Sequence, residues 1–239
     1  MDNRLGIFLG KPVDVLGLPI YSPTIHEIAE LGEVAYNIYL TLATFNKENV
    51  LKYLLRLPEP NVELLQQADA FELLTASPPI RNEIAKALSF FTKQPIVFNE
   101  ERNAFYGTSE ASVNRKNYKN FIPVIQETNG ISEQDKQTVS FKNDKAKKMY
   151  NKLQKLRDQY KKTNTSDSLG LKDILSILCN ADGNGIHIFN VSQLTIYQVY
   201  EQFERLNLKE QHTRLLRVWA NGYLGKDEQL PEWLVKSRL

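Results

Sequence analysis

The sequence predicts a mainly α protein, a multi-helix, bundle-like body with an N-terminal β-hairpin and a second small β-hairpin inserted between helices. Three observations predict it. Apolar residues recur at helical spacing through much of the chain. Small polar residues stand where helices would open, with an acid or amide three positions on. Short β-prone runs bounded by breakers occur near the N-terminus and around residue 100. The clearest helical stretch is Val191–Tyr223, where Tyr200, Phe203, Leu206, His212, Leu215, Leu216, Trp219 and Tyr223 share one face. Ser192 reads as a cap for its first helix, and Asn207 with Glu210 as a capping box opening a second. This stretch, a kinked helix or two close-packed ones ended by Gly222, is the expected anchor of the core.

In chain order, residues 5–21 mix short apolar runs with Gly10, Pro12, Gly17 and Pro19, which fits a two-stranded hairpin better than a helix. Thr24 and Glu27 have capping-box spacing, and Ile25, Ile28, Ala35, Ile38, Tyr39 and Leu42 line the face of the helix that follows. Asn46 recaps a helix through Tyr53, Leu54 and Leu55 that stops before Pro58. A shorter helix covers Val62–Leu74, and Ser77-Pro78-Pro79 opens another with Ile84, Leu88 and Phe91 on its face. Ile96–Phe98 and Ala104–Tyr106 form the inserted hairpin, without an Asn-Gly or Asp-Gly turn. Helix resumes over 115–128 with Tyr118, Phe121, Ile122 and Ile125 apolar; Pro123 implies a kink or a late start, and Asn129-Gly130 the end. Leu171–Cys179 is a short apolar helix, Ala181–Gly185 a turn, and Ile186–Phe189 a strand or buried extended piece. Trp233 stands where the tail could fold back onto the body. No internal repeat is visible. The organisation expected is residues 1–94 as hairpin plus helices, 95–111 as the inserted hairpin, and 112–239 as a helical region.

The net charge of +2 gives no whole-protein reason to expect nucleic acid, but it hides an uneven distribution. Within 141–162 stand Lys142, Lys145, Lys147, Lys148, Lys152, Lys155, Arg157, Lys161 and Lys162 against Asp144 and Asp158, a net +7; the rest of the chain therefore carries −5. Ala146, Met149, Leu153, Leu156 and Tyr160 make a narrow apolar stripe on a helix expected over 143–162. The bland reading is a solvated lysine face. The functional one makes Lys145, Lys148, Met149, Lys152, Leu153, Leu156 and Tyr160 a partner-binding surface for an acidic or helical protein. Nucleic acid fits less well, since base-reading surfaces use arginines or ordered aromatics and this one has a single arginine.

No catalytic, cofactor-binding or metal-ligating constellation is expected. His26-Glu27 opens like a zinc-protease motif but lacks the second histidine one turn on, and the chain has only His26, His187 and His212. The run from Asp182 departs from a calcium loop at its sixth and twelfth positions, His187 and Gln193. Glycine-rich phosphate motifs are absent. Cys179 ends an apolar run and reads as a small buried hydrophobe; a cysteine hydrolase would need His187 or His212 beside it. A lone cysteine forms no internal disulfide and is compatible with a reducing compartment. The apolar run at the N-terminus is too short for a signal peptide, and no segment has the apolar length of a membrane span.

Gly10-Lys11-Pro12, the P-T-I-x-E-I-x-E-x-G pattern within Tyr21–Gly32, and Leu194–Leu206 resemble a family encoded near the tape-measure gene of tailed phages and prophages of Gram-positive bacteria. That family is regarded as tail assembly proteins or chaperones. The resemblance implies a non-enzymatic assembly factor that coats apolar helical surface on a tail or tape-measure protein in the host-cell cytoplasm. A structural tail or baseplate component retained in the virion is the first alternative. A nucleic-acid binder and a cysteine hydrolase follow. The resemblance supplies no catalytic residue and no cofactor, and little of 60–162 takes part in it.

Overall fold

Two helix starts, distant in sequence, are joined at their caps. The computed structural model describes residues 3–56, 67–108, 111–131, 169–222 and 232–237. Thr24 and Thr195 face each other in an antiparallel bridge. The Ile25 N–H donates to the Leu194 carbonyl at 2.9 Å, and the Ile196 N–H returns a bond to the Pro23 carbonyl at 2.8 Å. Each threonine also heads a capping box, with Glu27 on one side and Gln198 on the other. Residues Thr24–Ile28 and Thr195–Val199 thus repeat one pattern, T-I-x-E/Q-I/V, about the clasp. Such a cap stabilises by about 1 kcal/mol. Burial alone would push the Glu27 carboxyl up, but hydrogen bonds from Lys93 and the Thr24 N–H, with the lysine's charge, hold it below the ordinary range. That contribution is present above the ordinary carboxylate pKa and fades as pH falls through the lowered one.

The architecture is mainly α, with an N-terminal hairpin and a second small sheet. A short helix α1 (Arg4–Phe8) precedes strands β1 (Val13–Val15) and β2 (Leu18–Ile20). Val15, Leu18 and Ile20 from the hairpin lie in the main core. Helices α2 (Ile25–Leu31) and α3 (Glu33–Ala43) follow, then α4 (Lys47–Asn49), which widens into a π-helical turn, Val50–Leu54. Next come α5 (Ala70–Thr75) and α6 (Pro78–Thr92). An antiparallel sheet of β3 (Val97–Asn99), β4 (Ala104–Tyr106) and β5 (Ser112–Asn114) leads into α7 (Tyr118–Thr128). Beyond lie α8 (Leu171–Asn180), a 3-10 turn Val191–Gln193 and α9 (Ile196–Ala220).

Several sequence expectations are corrected. Residues 5–21 are not all hairpin: α1 tucks Ile7 against Val13 and Tyr197, and Gly10 at φ +73° closes it. The expected single helix after Thr24 is two, because Gly32 at φ +89° breaks it. The inserted sheet has a third strand, β5, so it runs past residue 111 to Asn114. Asp69 caps α5 through the Phe71 and Glu72 N–H groups, which puts that helix's start at Ala70; Val62–Gln66 lie outside the described residues. Asn46 does cap α4, but Val50 and Leu51 are the buried positions while Tyr53, Leu54 and Leu55 are exposed. Pro123 stays inside a continuous α7 on its exposed side.

The C-terminal stretch differs most. One uninterrupted α9 replaces the kinked helix or close-packed pair expected, and Thr195 rather than Ser192 caps it. Asn207 and Glu210 lie mid-helix: no glycine or proline precedes Asn207, so a run of good helix formers continues through it. Only Ile196, Tyr197, Val199 and Glu201 of α9 are buried, with Tyr200, Phe203 and Leu206 packed against the core's edge. Leu216 and Trp219 are exposed. The tail does return to α9 through polar contacts, and Trp233 is 39% exposed. Ser237 donates to Glu201, its oxygen lies 2.8 Å from Glu204 Oε2, and Arg205 donates to the Val235 carbonyl.

One core joins these parts. Ile174, Leu178, Ile196 and Val199 lie in the same cluster as Ile25, Leu42, Leu88 and Phe121. Its densest region is aromatic: Phe45, Phe71, Phe105 and Tyr118 sit with ring centroids 5.1–6.4 Å apart. Opposite, the buried Tyr36 hydroxyl donates to Asn129 Oδ1 at 2.8 Å, and Asn129 Nδ2 donates to the Ile125 carbonyl at 2.6 Å. Burial pushes the Tyr36 hydroxyl well above its ordinary pKa, so it stays a hydrogen-bond donor.

Candidate functional site: an apolar groove beside the threonine clasp

The clasp fixes α2 next to the turn that precedes α9, and α8 lies alongside. Between them opens a groove of about 670 Å³, within the range of ligand-binding clefts. Ile25 and Ile28 of α2, Leu171 and Leu175 of α8, and Ile188 and Val191 of the turn supply its apolar walls. The turn exists because Gly183 and Gly185 take φ of +78° and +70°. Asn190 then ties it, accepting from the His187 N–H at 2.8 Å and donating to the Gly185 carbonyl at 2.9 Å. Those bonds fold 185–190 on itself, so Ile186–Phe189 is not the strand or buried extension expected. Ile188 is 71% exposed and Phe189 86% exposed.

The polar lining is sparse. Glu33 reaches the groove from the start of α3 and makes no ion pair or hydrogen bond among the described residues. Its charge acts on Tyr200, whose hydroxyl is pushed up first by burial and then by this carboxylate. Lys172 stands 3.8 Å from Asp173 on the exposed face of α8. Glu33 and Lys172 are the charged side chains of the lining, so the groove carries no net charge.

Cys179 and His187 both line this groove, which the sequence left unsettled. Cys179 is half-buried rather than the fully buried hydrophobe expected. No hydrogen bond joins it to His187, the contact a base-activated thiol uses. His212 lies far along α9, and exposed His26 pairs with Glu30 at 3.4 Å. Among the described residues no three His, Cys, Asp or Glu side chains gather as a metal site, and no helix is long and apolar enough to cross a membrane. A second, polar hollow near α5 is occupied by its own fastenings. There Arg115 pairs with Glu72 at 2.5 Å, Lys47 donates to the Ala68 carbonyl at 2.5 Å, and the Tyr118 hydroxyl lies 3.1 Å from Asp69.

The partner-binding residues expected from sequence, Lys145, Lys148, Met149, Lys152, Leu153, Leu156 and Tyr160, lie outside the described residues. The groove was not foreseen. Its one sequence signal is the pair of apolar steps Ile25/Ile28 and Leu171/Leu175, which also serve core packing and so do not announce a surface.

Residues 157–238 are similar to the YomV second domain. The matched segment covers less than half of the chain and contains α8, the 183–190 turn and α9, so one side of the groove is within it and α2 is not. No curated protein and no solved structure matches the chain.

Proposed function

We propose that this chain is a non-enzymatic assembly factor that captures a helical segment of a tail or tape-measure protein. The observation that carries the binding part is the open groove, with isoleucine and leucine walls and a 71% exposed Ile188 on its rim. Grooves of this kind accept an amphipathic helix through apolar side chains at i, i+3, i+4 and i+7. The tail context rests on the resemblance of Gly10–Pro12, Tyr21–Gly32 and Leu194–Leu206 to tail assembly proteins. The latter two of these pieces meet in the clasp that positions the groove. The apolar stripe of Met149, Leu153, Leu156 and Tyr160 is the second surface proposed for the partner, with Lys145, Lys148 and Lys152 beside it.

A chaperone leaves its client as subunits polymerise, whereas a structural component stays. Quantitative mass spectrometry of producing cells and of purified virions separates the two. The protein is expected in the lysate and absent from the particle; stoichiometric recovery in virions would instead make it a tail or baseplate component.

A further inference from the structure

The α2 wall of the groove is fastened from outside the groove. Glu27 and Lys93 are not part of its lining, yet Glu27 lies between Ile25 and Ile28, which are. The two carboxylate oxygens of Glu27 serve two different elements. Oε2 accepts from the Thr24 N–H at 2.7 Å and lies 3.0 Å from the Thr24 hydroxyl, within the clasp. Oε1 lies 2.6 Å from Lys93 Nζ, at the end of α6. Lys93 closes α6 in the left-handed region, at φ +53°. That position ordinarily takes glycine or asparagine, because a β-carbon is crowded there. A lysine sits in it at a backbone cost and places its cation on Glu27, 5.1 Å from the centre of the Tyr21 ring. The Tyr21 N–H also donates to the Phe91 carbonyl at 2.8 Å, so the end of α6 holds the chain on both sides of Thr24.

We infer that the Glu27–Lys93 pair is a latch on the groove: closed, it holds the first turn of α2 in the clasp, and released, it lets that turn open and the groove widen. Seven residues are too few for α2 to stand as a helix without outside support. Ile25 and Ile28 support its buried side, and the latch supports its start. The latch thereby sets which clients the groove admits. That consequence rests on the functional reading above, whereas the latch itself does not.

The test is peptide-resolved hydrogen exchange on the full chain at fixed pH. Lys93→Gly relieves the backbone and removes the cation. Glu27→Gln keeps a capping side chain, as Gln198 does beside Thr195, and removes the charge. A partly exposed pair shifts a local opening equilibrium a few-fold, and exchange reads that equilibrium. In each variant the amides of Ile28–Gly32 are expected to exchange about three- to fivefold faster, with α6 and α7 no faster than in wild type. The double variant should add nothing to either single one, and Lys93→Arg should keep the wild-type rates. Unchanged exchange in α2 would overturn the inference. So would acceleration spread evenly over α6 and α7, or effects that add in the double variant. The expected pattern in a chain that captures no tail protein would support the latch and refute only the functional reading.

Discussion

Phe71→Ala is expected to lower the unfolding free energy by about 3–5 kcal/mol, the cost of removing a large aromatic side chain and leaving its cavity. Phe71 is fully buried on α5, stacked on Phe45 at 5.6 Å and edge-on to Phe105 at 6.0 Å, with Tyr118 also 5.6 Å away. Those neighbours come from the segment after α3, from β4 and from α7, so one ring holds four parts of the chain. Aromatic pairs of this geometry add about 0.5–1.5 kcal/mol each beyond the area they bury. The cavity would open among other rings that cannot collapse without leaving their own rotamers. Urea unfolding followed by circular dichroism reads the loss. A change below about 1 kcal/mol would mean that the cluster is not packed as described.

Gly130→Ala should cost about 2–5 kcal/mol, from two separable causes. Gly130 sits at φ +70°, where an L side chain costs about 1–2 kcal/mol. A β-carbon there would also lie 2.6 Å from Tyr200 Cδ2 and 3.2 Å from Tyr200 Cβ, so the ring and α9 must shift. Overpacking of that sort costs about 1–3 kcal/mol. The glycine ends α7, and the Ile131 N–H closes the cap on the Gln126 carbonyl at 2.9 Å. Gly183→Ala is the control: its φ is +78°, but nothing lies within 4 Å of the added carbon. Equal losses in the two variants would show that backbone conformation alone matters and that α7 and α9 do not pack so closely at this point.

Local signals in the sequence carried most of the fold. Thr24 with Glu27 announced a helix start and the structure shows the full capping box; Ile84, Leu88 and Phe91 announced a buried face and all three are buried. What failed were signals that another residue could satisfy. Asn207 with Glu210 has capping-box spacing, yet nothing there interrupts the helix, whereas the cap that acts, Thr195 with Gln198, is identified by the backbone pairing with Pro23 and Thr24 across 171 positions. Strand β5 holds only three residues with one apolar among them, too little periodicity to read without its partner β4. The groove was illegible for a related reason. Ile25 and Val191 read as core residues and are buried, at 6% exposed each, and only the exposed turn that meets them opens a groove there. The basic stretch was the opposite case, plain in composition but outside the described residues.

The most direct measurement is a pull-down of the full chain from producing cells, with captured proteins and nucleic acid quantified. It is made for wild type, for Ile188→Asp in the groove, and for Leu153→Ser with Leu156→Ser in the stripe. Wild type is expected to retain one dominant tail or tape-measure protein. Because a few buried apolar contacts carry most of the energy of such interfaces, at least one variant set should reduce its recovery by about tenfold or more at unchanged helical content. Retention of the same partner by both variants, or recovery of nucleic acid alone, would contradict the account.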